Sequence, residues 1–183
     1  MKKILAIVGS PRRNGNTNIL VSKIAEGART KGALVDEILL GDLTIAECDG
    51  CYRCWQTQSC RKQDDMCHIY PMIAERDAII FGTPVYWYGP TGLMKMFVDR
   101  LVFFNCPENR EKIRGMQAVI AVPFEEENIH TADLVVEFFE KSLAYLEMKL
   151  VGKIIVPGVS KKGDILQKPD SLSQAYALGQ SLA

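Results

Sequence analysis

Along the chain, short apolar runs alternate with longer stretches in which apolar residues recur every three or four positions. The run Ile4 to Val8 ends at Gly9 and has the composition of a strand buried on both faces of a sheet. Similar runs fall at Leu34 to Leu40, Ala78 to Phe81, Ala118 to Val122 and Ile154 to Val156. Between them, Ile19, Leu20, Ile24 and Ala28 mark a helix from Asn16 to about Lys31, with Gly32 placed to end it. Further helices are predicted from Asp64 or Asp65 (either can cap) through Ile73, and over Leu93 to Phe103, Ala132 to Leu146 and Ser171 to Leu182. The tract Pro107 to Arg114 fits neither period.

Strands that alternate with helices predict an α/β fold, a parallel sheet with helices on both faces. Five strands in this length suit the doubly wound order 2-1-3-4-5. The 183 residues, 48% of them hydrophobic, suffice for one well-cored domain and are short for two. Residues 1–183 are therefore read as one domain with a cysteine-rich insertion at about 47–67. Twenty-two basic residues balance 22 acidic ones, which argues against nucleic acid or an anionic membrane as partner and leaves a small molecule or another protein. No apolar run approaches the roughly 20 residues that span a bilayer, and "ILAIV" is too brief for a signal-peptide core. A cytoplasmic location is the expectation. There, six cysteines imply reduced thiols or metal ligation rather than a disulfide framework.

In such sheets a ligand lies beyond the carboxyl ends of the strands, where the strand order reverses, so the loops after the first, third and fourth strands should meet. The first loop reads "GSPRRNGNTN". A helix starting near Asn16 or Thr17 offers a phosphate its unpaired backbone N–H groups and the positive end of its dipole. Ser10, Asn16, Thr17 and Asn18 add side-chain donors, Gly15 permits close approach and Arg12 adds charge. Neither the G-K-[ST] of a P-loop nor G-x-G-x-x-G is present, so one terminal phosphate suits the loop best; a plain turn with an asparagine cap is the alternative. The second loop, "TPVYWYGPTG", sets Tyr86, Trp87 and Tyr88 in a row beside Gly89 and Gly92. Three consecutive aromatics cannot all face one core, which leaves at least one for a flat heteroaromatic ring or a partner subunit; ordinary packing is the alternative.

"GSPRRNGNTN" and "GTPVYWYGPTGLMKMFVDR" together resemble the NADPH-dependent FMN reductases of the flavodoxin-like superfamily, closely from Met1 to about Arg100 and in element order beyond. The resemblance implies a flavodoxin-like fold with bound FMN. It implies that Ser10, Arg12, Asn16, Thr17 and Asn18 hold the phosphate, and that Pro84, Val85, Tyr86, Trp87 and Tyr88 approach the isoalloxazine ring. The third loop of the family often carries glycines; "VPFEEEN" departs from this, so that of its residues only Pro123 belongs to the expected flavin set, with no role assigned to Phe124 and Glu125. Glu125, Glu126 and Glu127 read as a solvated acidic face or as a rim that steers a cationic partner. Lys95, Asp99 and Arg100 match the family pattern too, and their helix makes ion pairs the expectation. No catalytic acid or base is expected, because His68 and His130, the only histidines, sit in no nucleophile motif.

Cys48, Cys51, Cys54 and Cys60 form C-x2-C-x2-C-x5-C. Such close spacing lets one loop wrap a metal centre, and all-sulfur ligation selects an iron-sulfur cluster or zinc; disulfide cycling or bare thiols are the alternatives. The spacing resembles that of the iron-sulfur flavoproteins and thereby implies a 4Fe-4S cluster that exchanges electrons with FMN. Cys67 and Cys106 lie outside the motif. The resulting expectation is an FMN-dependent oxidoreductase in which the cluster takes electrons from a carrier such as ferredoxin and FMN passes them to an acceptor. A cluster-free NAD(P)H-dependent reductase of quinones or flavins is one alternative, and a non-catalytic FMN electron carrier another. The resemblance also implies a homodimer or homotetramer with FMN near a subunit boundary.

Overall fold

A computed structural model describes residues 1–183. Strands β1 (Lys3–Val8), β2 (Leu34–Leu39), β3 (Ala78–Gly82), β4 (Gln117–Pro123) and β5 (Lys149–Val156) are all parallel and stand in the order β2-β1-β3-β4-β5. This is the expected flavodoxin-like sheet. The central strands are unbroken apolar runs because both of their faces are covered. Leu5, Ile7, Ile79, Phe81, Ile120 and Val122 point to one core. Ile4, Ala6, Ala78, Ile80, Val119 and Ala121 point to the other.

Helices α1 (Asn16–Thr30) and α7 (Pro169–Leu182) cover the second core through Leu20, Ile24, Ala175 and Leu182. Helices α3 (Met66–Ala74), α4 (Gly92–Arg100) and α6 (Asp133–Tyr145) cover the first through Ile69, Phe97 and Phe139. The single turns α2 (Arg53–Thr57) and α5 (Pro107–Arg110) complete the set. On α1 and α7 the backbones touch: a Cβ on Gly27 would lie 2.0 Å from the Tyr176 carbonyl oxygen, and one on Gly179 1.9 Å from that of Ile24. Only glycine fits at that crossing.

Three boundaries differ from the expected ones. The helix expected through Phe103 ends at Arg100, whose carbonyl accepts from the Tyr70 hydroxyl at 3.2 Å, and Leu101–Asn105 tighten into a 3-10 turn. Strand β5 begins at Lys149 rather than Ile154, since its first half is an edge strand of alternating exposure that no apolar run announces. Pro107 opens the helical turn α5, at the position where its missing N–H costs nothing. Of the two aspartates before α3, Asp65 takes the N-cap position without a side-chain bond, and the Asp64 Oδ1 accepts from the Met66 N–H at 3.2 Å. No helix is long and apolar enough to cross a membrane.

Candidate functional site

The sheet itself brings the first two loops together. Past the ends of β1 and β3, the Gly9 N–H donates to the Gly82 carbonyl at 2.7 Å and the Thr83 N–H to that of Ala121 at 3.0 Å. A buried hydroxyl then joins loop to loop. The Thr91 hydroxyl donates to the Gly9 carbonyl at 2.5 Å and caps α4 by accepting from the Met94 N–H at 3.1 Å, while the Thr91 N–H donates to the Thr83 hydroxyl at 3.1 Å. Helix α1 starts after an extended Gly15 and no side chain caps it, so its first N–H groups face outward to whatever the loop holds.

Between these loops lies a pocket of about 90 Å³. It gathers Ser10, Arg12, Asn16 and Thr17 of the first loop, Pro84, Val85 and Tyr86 of the second, and Pro123 of the third. Asn18, Trp87 and Tyr88 stand outside it. The Asn18 Oδ1 accepts from the Asn14 N–H at 3.2 Å, which secures the turn where Asn14 has φ of 53°. Trp87 and Tyr88, with φ of 50° and 61°, form the two central residues of a tight turn closed by Tyr86 and Gly89, whose N–H groups and carbonyls pair at 2.8 and 3.0 Å. This left-handed pair throws both rings outward, leaving Trp87 97% and Tyr88 58% exposed. The aromatic row thus divides, with Tyr86 lining the pocket. Phe124 and Glu125 line it too, beside Val159 and Ser160, which sequence reasoning missed. No local signal could have found these two, since "PGVSKKGD" reads as an ordinary turn.

A second, more enclosed cavity of about 70 Å³ is lined by all four cysteines of the motif, Cys48, Cys51, Cys54 and Cys60, with Arg61, Lys62, Arg100, Tyr70 and Phe103. Arg100 is its anchor. This guanidinium, 1% exposed, donates to both Asp64 oxygens at 2.5 and 3.1 Å, to the Ala46 carbonyl at 2.7 Å, to the Tyr70 hydroxyl at 3.1 Å and to the Cys60 sulfur at 3.4 Å. Burial disfavours charge on Asp64 and Arg100, but their mutual bonds outweigh it: the carboxyl is held below its ordinary range and the guanidinium is kept protonated. The expected ion pairs of Lys95 with Asp99 and of Arg100 are both present. Burial, reinforced by the neighbouring Cys60, pushes the Cys54 thiol up. Asp49 is held low by the bond it accepts from Arg61.

The six cysteines carry free thiols, and no three ligand-type side chains converge as a single ion requires. Tetrahedral Zn–S bonds of about 2.3 Å bring sulfurs within roughly 3.8 Å of one another, whereas a 4Fe-4S cluster takes one thiolate on each iron and carries negative charge that cationic side chains offset. Arg61, Lys62 and Arg100 line the same cavity as the four cysteines. Cys67 donates to the Lys62 carbonyl at 3.2 Å, and Cys106 is buried against Phe103. A groove of about 670 Å³ between α4 and α6 reaches Cys48 from outside.

Residues 2–157 match the model of a family described as NADPH-dependent FMN reductase. An iron-sulfur flavoprotein of Archaeoglobus fulgidus is 31% identical over 163 residues, 89% of this chain and 80% of that protein. A Bacillus subtilis protein named as an NAD(P)H-dependent FMN-containing oxidoreductase is 29% identical over 182 residues, 96% of each chain. The chain spans about half the length of other curated relatives, among them a further Archaeoglobus fulgidus iron-sulfur flavoprotein, 32% identical over 120 residues that make up 65% of this chain and 54% of the relative. Among solved structures, the NAD(P)H:quinone oxidoreductase from Methanothermobacter marburgensis superposes with a TM-score of 0.78 at 18% identity, over 99% of this chain and 96% of that one. At that identity the likeness is one of fold.

Proposed function

This chain belongs to the NADPH-dependent FMN reductase family, and from that premise we propose that it is an FMN-dependent oxidoreductase that also holds a 4Fe-4S cluster on Cys48, Cys51, Cys54 and Cys60. The observation that carries the cluster is the cavity that gathers all four thiols of the motif against Arg61, Lys62 and Arg100. When bound, FMN supplies one- and two-electron redox chemistry. The chain's own groups position it. The open N–H groups of α1, with Ser10, Arg12 and Thr17, receive the phosphate; Pro84, Val85 and Tyr86 border the ring; the bond from the Thr91 hydroxyl to the Gly9 carbonyl keeps the two loops in register. The groove that ends at Cys48 gives a donor such as ferredoxin a way to the cluster, and NAD(P)H reaches the flavin from the open side of its pocket. The exposed Trp87 and Tyr88 suit an aromatic acceptor or a second copy in a homodimer or homotetramer.

The test is the visible spectrum of protein purified without oxygen, with iron and sulfide assays. Flavin bands, a broad shoulder and about four irons per chain are expected. Flavin bands without iron would overturn the cluster, and colourless protein that fails to bind FMN at micromolar levels would overturn the flavin as well. Cys54→Ala should lose iron and keep FMN.

The match to the Bacillus subtilis oxidoreductase over 96% of both chains favours a second reading, a cluster-free NAD(P)H-dependent reductase of quinones or flavins. Steady-state NADPH oxidation by iron-free protein would support it.

A further inference from the structure

The family match ends at residue 157, yet Val159 and Ser160 form one wall of the flavin pocket. The Val159 N–H donates to the Phe124 carbonyl at 2.9 Å, and one side chain of the phosphate loop adds four bonds to the segment. The Asn16 Nδ2 donates to the Val159 carbonyl at 3.3 Å and to that of Lys161 at 2.9 Å, while its Oδ1 accepts from the Gly163 N–H at 3.0 Å and the Ile165 N–H at 3.3 Å. A side-chain amide has two hydrogens to donate and two lone pairs to offer, so Asn16 is saturated by this segment. In this arrangement the Asn16 amide has no hydrogen left for a phosphate, the side-chain role that the loop's composition suggests, and its backbone N–H is the donor that remains.

Other bonds close the same segment independently. The Asp164 Oδ2 accepts from the Ser160 and Lys161 N–H groups at 3.1 and 2.6 Å, and Arg12 Nη1 donates to the Ser160 carbonyl at 3.0 Å. On one side the segment is tethered by β5, on the other by α7, whose backbone is pressed against α1 at Gly27 and Gly179.

We propose that Val159–Ile165, fastened by Asn16, is a clasp that shuts the phosphate end of the pocket and makes it selective for a flavin ending in one phosphate over a flavin dinucleotide. The inference rests on the reading that FMN occupies this pocket. Ser160 and Arg12 line the pocket together with Asn16 and Thr17 at the start of α1 and are joined by their own bond. A monophosphate bound at that helix start would end short of this bond. An adenosine tail would have to pass it, breaking the Arg12–Ser160 bond and lifting the segment from Asn16. The clasp also fixes the first residue of α1, which aims the helix N–H groups.

Full-length protein stripped of flavin and titrated with FMN, FAD and riboflavin tests the proposal. The native chain should prefer FMN to FAD strongly. Asn16→Ala should weaken FMN roughly tenfold or more, on the scale of several hydrogen bonds lost, with FAD affected less and riboflavin unchanged. Asp164→Ala, which alters only the clasp, should shift the FMN-to-FAD ratio the same way and serves if the first variant fails to fold. Native-like ratios in both variants, or equal losses of FMN and riboflavin, would overturn the clasp. Failure of the native chain to bind FMN at all would instead overturn the flavin reading.

Discussion

In the pocket between the strand-end loops the backbone at three neighbouring strand ends carries the geometry, whereas around the cysteines one buried guanidinium does. Gly9 pairs with Gly82 and Thr83 with Ala121, so the pocket floor continues the parallel ladder. The segment from Thr44 to Asp65 joins no sheet. What ties it down is a set of side-chain bonds: Arg100 to Ala46, Cys60 and Asp64, Asp64 to the Ala46 N–H at 3.0 Å, and Asp65 to the Thr44 N–H at 2.6 Å. A site built on a ladder shares its stability with the core, while a site built on side chains can fail by itself.

Arg100→Met presses hardest on that contrast. It leaves the Asp64 carboxylate buried without its partner, a loss expected to reach about 3–5 kcal/mol in urea unfolding. In the protein that remains folded, alkylation of the motif cysteines should accelerate while FMN affinity changes little. If flavin affinity and thiol protection fall together, the two sites are one cooperative unit and the contrast is void. Acid offers a second view of the same pair. Because the folded Asp64 carboxyl sits below its ordinary range, its contribution is present above the unfolded value of about 4 and disappears as pH falls through the folded one. Native protein should therefore lose stability more steeply below about pH 4 than Arg100→Met does.

The contrast also separates what could be read along the chain from what could not. Ile4 to Val8, Ala78 to Phe81 and Ala118 to Val122 announced the ladder because both of their faces are apolar, and the loops that leave those strands were found with it. The spacing of four cysteines announced the second site. Direction of side chains was not legible. Asn16 sits in the phosphate motif but turns to a segment 143 to 149 residues away, and Val159 and Ser160 reach the pocket only because β5 and α7 bring them there. Nothing local encodes such a contact. The helix position of Arg100 predicts an ion pair, which it forms with Asp64, yet its bond to Cys60 links two motifs 40 residues apart.

Gly82→Ala approaches the contrast from the pocket side with a smaller effect. An added methyl would lie 2.2 Å from Val21 Cγ2 and 3.2 Å from Thr17 Cγ2, so it pushes the first turn of α1 off the sheet. Overpacking of this kind costs about 1–3 kcal/mol. Titration should show weakened FMN binding, because Thr17 lines the pocket, and the motif cysteines should alkylate at the native rate. Faster alkylation would show that strain passes from the ladder to the cysteine segment.

The smallest effect has the opposite sign. Trp87 and Tyr88 occupy left-handed positions that suit asparagine and glycine, and a bulky residue there is disfavoured by about 1 kcal/mol or somewhat more. Both rings are exposed, so replacing the pair by Trp87→Asn and Tyr88→Gly forfeits little packing. Thermal unfolding should show a gain of about 1 kcal/mol. A turn that stability alone would have built from other residues here holds two exposed aromatic faces beside the pocket that Tyr86 lines. The stabilised variant should accordingly keep its FMN affinity, since Tyr86 still lines the pocket, and show a raised KM for an aromatic acceptor. A native KM together with a gain in stability would mean that the rings serve another copy of the chain, and sedimentation of the variant would then reveal a smaller assembly.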